Sequence, residues 1–170
     1  MALVRRAEIG DARAIRLVHV EAVRALCAGH YAPAEIEAWV APRPATHYDE
    51  AIRGKEFYVA AVGGRVVGFA VLNQEAGEVE AVYVSPRVAR RGTGLSLLRA
   101  LEARALAHGL TSLHLCAALN AVGFYERAGF ARGELTAHRL PGGVEIACVR
   151  MTKGLAESAG GGSSRCREIF

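Results

Sequence analysis

The sequence predicts an α/β (α+β) domain: a single mixed, mostly antiparallel sheet of about seven strands with helices on both faces. Three observations predict it. Strand-like and helix-like runs follow one another in the order β-α-α-β-β-β-α-β-α-β-β. A Gly63-Gly64 pair between two apolar runs suits a tight hairpin. A strand ending at Val84 leads through a glycine-bearing turn directly into an amphipathic helix.

Taken in order, residues Ala2 to Ala7 alternate as a first strand. Asp11 stands at an N-cap position, and Ile15, Val18, Ala22 and Leu26 recur at helical spacing up to Gly29. A second helix starts near Pro33, with Ile36, Trp39 and Val40 on one side, and breaks at Pro42 and Pro44; His47 to Arg53 reads as a further short helix. Phe57–Val62 and Arg65–Leu72 form the hairpin, and Glu78–Val84 is the next strand. The helix from Thr93 to His108 is expected to bury Leu95, Leu98, Leu101 and Ala105 and to stop at Gly109. Leu113–Ala117 is a short strand, and Asn120 is positioned to cap a brief helix that ends at Gly129. Strands at Phe130–Ala137 and Val144–Met151 flank a Pro141-Gly142-Gly143 turn. The domain is thus expected over residues 1–153. Residues 154–170, with Gly160-Gly161-Gly162-Ser163-Ser164, have a flexible-linker composition, and Cys166 there reads as a passive surface thiol.

Composition narrows the function classes. A chain of 170 residues holds one domain with a substantial core. The net charge of +4 suits an anionic small ligand, and no Lys/Arg-rich block interleaved with aromatics marks a nucleic-acid surface. Cys27, Cys116, Cys148 and Cys166 are far apart and form no Cys-x-x-Cys; the first three sit in apolar patterns, as small core residues do. No signal-peptide segment and no apolar run near ~20 residues is present, so a reduced, cytoplasmic protein without a membrane span is expected. The histidines His19, His30, His47, His108, His114 and His138 show no metal-ligand spacing, and no Gly-x-Ser-x-Gly precedes a helix, so zinc and serine-hydrolase chemistry lack support.

The informative stretch runs from Val82 to Leu98. Gly92 and Gly94 lack a Cβ that would block approach to the backbone, and the following helix points free N–H groups and its positive dipole end at the turn. Arg87, Arg90 and Arg91 add mobile positive charge. Such a turn suits a phosphate or diphosphate; the same residues are equally compatible with a tight turn presenting a solvated basic face. It is not a P-loop, since no Gly-Lys-Ser/Thr follows. Leu97 occupies the place of the third glycine of a dinucleotide fingerprint.

With a second run, Leu119-Asn120-Ala121-Val122-Gly123-Phe124-Tyr125-Glu126-Arg127-Ala128-Gly129-Phe130, the stretch resembles the GNAT superfamily of acetyl-CoA-dependent N-acetyltransferases. The resemblance extends over nearly the whole domain. Tyr31-Ala32-Pro33-Ala34-Glu35-Ile36-Glu37-Ala38-Trp39 also looks like one bacterial branch of the family. It implies the GNAT acyl-CoA N-acyltransferase fold, acetyl-CoA as cosubstrate, no metal, a small-molecule or peptide amine as acceptor, and in many relatives a homodimer. It also implies that Glu78–Val84 splays from Leu113–Ala117, and that the pantetheine arm pairs with the Val82–Tyr83–Val84 main chain in the gap. The diphosphate would lie on the amides of Arg90, Arg91, Gly92, Thr93, Gly94 and Leu95, with Asn120 also touching the cofactor. One departure stands out: Ala89 occupies a position that is usually Gln or Arg, which Arg90 or Arg91 would have to replace.

For catalysis, the resemblance makes Tyr125 the general acid that protonates the leaving thiolate; a phenol of pKa ~10 and a thiol near ~8.5 are workable partners. By residue type alone, Tyr125 reads first as packing beside Phe124; the surrounding motif is what favours the acid. Glu78 and Glu80, two apart on one strand, share a side with Val82 and Val84 if alternation holds, so either would take the amine's proton, through a water. An exposed strand end with ordinary surface acids is the alternative. By analogy the Val84 N–H donates to the oxyanion. Tyr31, Trp39 and Tyr48 fall in the segment that covers the family's acceptor site. No cysteine lies in either motif, so direct attack in a ternary complex is indicated. The rival reading is a module that binds acetyl-CoA without turnover, as a sensor or interaction partner.

Overall fold

The computed structural model describes residues 2–44 and 46–155. Seven strands, β1 (Leu3–Arg6), β2 (Glu56–Val62), β3 (Arg65–Asn73), β4 (Glu78–Val84), β5 (Ser112–Ala118), β6 (Ala131–Arg139) and β7 (Glu145–Gly154), form one sheet in the order β1-β2-β3-β4-β5-β7-β6. Every pairing is antiparallel except β4 with β5. The helices are α1 (Ala12–Leu26), α2 (Pro33–Trp39), α3 (Thr46–Gly54), α4 (Thr93–Ala107) and α5 (Val122–Arg127). The mixed sheet flanked on both faces is the predicted fold class. Because β7 runs to Gly154 and the Leu155 amide bonds the Thr111 carbonyl at 2.8 Å, the sheet continues past residue 153. The rest of the Gly/Ser-rich segment, with Cys166, lies outside the described residues.

Local chemistry sets the punctuation. Gly63 and Gly64 both have positive φ, 55° and 77°, as a two-residue turn matched to strand twist requires. Helix α4 ends in a Schellman motif: Leu110 N–H bonds Ala105 C=O and Gly109 N–H bonds Leu106 C=O, with Gly109 at φ 77°. Asp11 stands at the N-cap of α1, yet its carboxylate does not cap the helix. It accepts from the Glu8 amide at 2.9 Å and from Arg5 at 2.7 and 2.8 Å.

The core lies on both sheet faces. On one, α4 inserts Leu97, Leu98, Leu101 and Ala105 against Leu113, Leu115 and Met151. Leu95, expected to be buried in that row, is only half-buried, and Leu97 takes the inward position. On the other face, Ile15 and Val18 of α1 and Ile52 of α3 cover Phe57, Val59, Phe69 and Val71. Around α2, Trp39, Tyr31 and Ile36 join Val23, Leu140 and Ile146. Among the described residues no helix is long and apolar enough to cross a membrane.

One buried acid ties the start of β2 to its neighbours. Glu56 accepts from Arg104 at 3.1 Å, lies 2.9 Å from His108 Nε2 and accepts from Arg6 at 2.8 Å. Burial alone would raise its pKa; the bonds from Arg104 and His108 and the charge of Arg6 outweigh that and hold it at about 2. A carboxyl depressed in the folded state stabilises the fold above its unfolded pKa, and that contribution is lost as pH falls toward 2. Glu56→Gln is therefore expected to cost ~2 kcal/mol at pH 7, with the melting temperatures of the two proteins converging between about pH 4 and pH 2 in a thermal series.

Candidate active site

The site begins where the sheet fails to close. β4 and β5 pair through only Glu78 and His114, with His114 N–H on Gly77 C=O at 3.0 Å, and then diverge. The Ser85 amide bonds the Val67 carbonyl at 2.8 Å, so antiparallel alternation turns Tyr83 and Ala81 toward β3. The main-chain groups of Val82 and Val84 then point into the gap, with no strand beside them. The gap opens into a cleft of about 1050 Å³ lined by β4, the turn after it, the ends of α1 and α2, β5 and α5.

At one end of the cleft lies the turn from Ser85 to Gly92. Arg90 (φ 61°) is the only non-glycine in the left-handed region among the described residues, and Gly92 follows at φ 81°. Two left-handed residues so close together curl successive N–H groups toward one side, the geometry of an anion nest. Thr93, Gly94 and Leu95 open α4, and the first helical bond is Ser96 N–H to Gly92 C=O at 2.9 Å. The amides of Arg90 through Leu95 therefore have no main-chain acceptor among the described residues. A Cβ at Gly94 would touch the Phe124 ring at 3.4 Å, an ordinary packing distance that sets the start of α4 against α5. Ala89, Arg90, Gly92, Gly94 and Leu95 line the cleft. Thr93 is buried and Arg91 exposed, and neither lines it. Arg87 is an exposed side chain, as expected from the sequence, and makes one surface ion pair. Its Nε lies 3.3 Å from Glu21, which also accepts from the Ser85 hydroxyl at 3.0 Å.

On the opposite wall stands Tyr125 of α5. The phenol is buried, packs edge-on to Phe124 and Phe130, and lines the cleft. Burial alone pushes its pKa upward, so the hydroxyl is protonated across the physiological range. α5 closes in a second Schellman motif, Phe130 N–H to Tyr125 C=O and Gly129 N–H to Glu126 C=O, which fixes the short helix that carries the phenol. Asn120 does not cap that helix, whose N-cap is Ala121. It sits within a 3₁₀ turn, and its Oδ1 accepts from the Cys27 thiol at 3.5 Å while it lines the cleft. Tyr31 anchors the same turn, donating to Ala147 C=O at 2.7 Å and accepting from Leu119 N–H at 2.9 Å.

The two carboxylates separate. A register shift in β3–β4 pairs Leu72 with Val79 and Val71 with Ala81, leaving Glu80 as the extra residue of a bulge. Strict alternation is broken there: Val79, Val82 and Val84 all pack on the α4 side, while Ala81 and Tyr83 face α1. Glu78 and Glu80 thus do not share a side with Val82 and Val84. Glu80 lines the cleft and is held by Lys55 at 2.6 Å and by Asn73 Nδ2 at 3.3 Å. Glu78 lies at the paired end of β4, outside the lining. Lys55, more than twenty residues from Glu80 in sequence, left no signal that would have paired them.

The far mouth is framed by Ala22, Leu26, His30 and Trp39. Trp39 Nε1 donates to the Tyr83 hydroxyl at 3.0 Å, and Tyr83 stacks on Phe69 at 5.2 Å and meets His19 edge-on at 4.8 Å. Tyr83 therefore serves as a fixed wall on the α1 side. Tyr48 lies elsewhere, 3.1 Å from His19 Nδ1. Cys27 and Cys148 are buried thiols, as expected, but Cys116 is exposed and lines the cleft. Among the described residues no group of three or more His, Cys, Asp or Glu is placed to hold a metal.

The sheet split at β4/β5 thus has a run of free amides at one end and a protonated phenol at its wall, around one cleft. The profile of the acetyltransferase (GNAT) family matches residues 25–130, and the chain belongs to that family, whose members are acyltransferases. Among solved structures, it superposes on a GCN5-related N-acetyltransferase from Rhodopseudomonas palustris with a TM-score of 0.85 at 28% identity, covering 91% of this chain and 96% of that one. A PaiA N-acetyltransferase from Thermoplasma acidophilum in complex with coenzyme A gives 0.73 at 22%, covering 91% and 99%. A phosphinothricin acetyltransferase from Sinorhizobium meliloti in complex with AcCoA gives 0.66 at 22%, covering 96% and 93%. No curated protein matches the chain.

Proposed function

We propose that this acetyltransferase uses acetyl-CoA to acetylate a primary amine of a small molecule or peptide, by direct attack within a ternary complex. The observation that carries the reading is the run of unpaired amides from Arg90 to Leu95, which reaches, at Arg90, Gly92, Gly94 and Leu95, the same cleft as Val82, Val84 and Tyr125. An anion of diphosphate type satisfies those donors and the positive end of α4 together. The pantetheine arm adds as a strand beside β4, giving partners to main-chain groups that β5 does not reach. Arg90 and Asn120 contact the cofactor from the rims, and Arg90 supplies the cation that Ala89 lacks.

The acceptor enters from the mouth framed by Leu26 and Trp39. Its nitrogen attacks the thioester carbonyl carbon, and the oxyanion is stabilised by the Val84 N–H. The carbon–sulfur bond then breaks, and the departing thiolate takes the Tyr125 proton. The amine proton passes through water to Glu80, with Lys55 orienting that carboxylate. The phenolate recovers a proton from solvent after CoA leaves. The burial that raises the phenol also raises a thiolate formed beside it, which keeps the two proton affinities comparable.

Thiol release measured against a broad panel of amines, beside calorimetry with CoA, tests the reading. Binding without acceptor-dependent thiol from any amine would leave only the non-catalytic module. Tyr125→Phe is expected to lower kcat by about 100-fold while CoA affinity stays within about twofold; an unchanged rate removes the phenol from the chemistry. Gly92→Val, which forces a branched side chain to φ 81°, is expected to weaken CoA binding by about tenfold, ~1.4 kcal/mol. Its circular dichroism should match that of the parent protein.

A further inference from the structure

A second cavity, of about 320 Å³, lies between α1, the Pro42–Pro44 bend and α3. Three of its lining residues are Arg13, Arg16 and Arg43, Tyr48 is a fourth, and no Asp or Glu lines it. Among the described residues none of the three guanidinium groups forms an ion pair. Arg16 is nonetheless fixed: its Nη2 donates to Val40 C=O at 2.6 Å and more weakly to Ala41 C=O at 3.4 Å. Its Nη1 is buried and has no hydrogen-bond partner among the described residues. Arg43 is steered by a 3.2 Å contact with His47 Nε2. Three like charges gathered at one cavity repel, and a buried guanidinium N–H without an acceptor is among the costlier omissions a fold can carry. An anion removes both penalties at once. The surrounding field is positive: burial first, then Arg43 and Arg16, pushes His19 down to about 3.

We infer that this cavity is a binding site, separate from the acyl-transfer cleft, for the carboxylate or phosphate group of a small anion. Arg16 Nη1 donates from the floor, Arg13 and Arg43 close on the remaining oxygens, and the volume admits a compact di- or tricarboxylate or a phosphate monoester. The site adjoins the cleft through α2. Val40, which holds Arg16, follows directly on Trp39, which lines the cleft. Occupancy therefore bears on the acceptor mouth through adjacent residues of one chain segment.

The inference does not rest on the acetyl-transfer reading, and the test keeps the two apart. Backbone amide resonances of the full chain are followed during titration with sodium phosphate and, separately, with sodium citrate, at constant ionic strength set by sodium chloride. Saturable shifts at residues 12–19 and 40–48 are expected with at least one anion, distinct in midpoint from any shifts at residues 90–95. Response to phosphate alone identifies a phosphate site and response to citrate alone a carboxylate site; both support the inference. Arg16 stays intact because it holds the end of α2; R13Q/R43Q is expected to weaken binding at this cavity at least tenfold and to leave shifts at 90–95 unchanged. Shifts confined to 90–95, no saturable response at the α1 cavity, or equal affinity in the double variant would overturn it.

Discussion

The fold depends on a hydrogen-bond ladder that stops after one pair. β4 and β5 meet at Glu78 and His114 and nowhere else, yet both are otherwise well held. β4 is registered against β3 over most of its length, and every residue of β5 is registered against β7. Neither strand can drift to close the gap without giving up its other partner. Closing it would restore only the few bonds that Val82 and Val84 lack, while forfeiting much of a ladder with β3 or β7. The opening is thus built into the sheet and does not rely on a mobile lid.

Three local devices keep it open. The bulge at Glu80 adds a residue to β4 and increases its twist just where divergence begins. Tyr31 bridges Ala147 and Leu119 and ties the end of β5 to β7 on the side away from β4. The start of α4 packs on the Phe124 ring, so α5 lies below the gap without filling it. The polar ends face inward: amides without a main-chain acceptor among the described residues at one side and a buried phenol at the other.

Much of this was legible in the sequence, and the exceptions have physical reasons. Gly63-Gly64, Gly109 and Gly129 marked their turns because positive φ has few alternatives. The run from Arg90 to Leu95 was legible because glycine spacing and a helix start are local features. What alternation could not foresee was the bulge, whose extra residue is defined by pairing with β3, and it separated Glu80 from Val82 and Val84. Asn120 reads as a cap from its neighbours alone, but Cys27, far off in sequence, takes its side chain. The arginines at 13, 16 and 43 carried no pattern, because the topology, and not spacing, brings them to one cavity.

The environment of Tyr125 bears on why the proposed acid is a phenol and not a carboxyl or imidazole. Packed between Phe124 and Phe130, the position penalises any charged form. A carboxyl there would also stay protonated, but its acceptor oxygen would lack a donor, and a histidine would lose its proton, as His19 does at its own buried position. A phenol keeps its proton and presents one donor. It parts with that proton only to a base formed inside the same dry wall, where a new thiolate is as poorly solvated as the phenolate. Selective proton delivery then follows from burial itself, with no neighbouring charge needed to tune it.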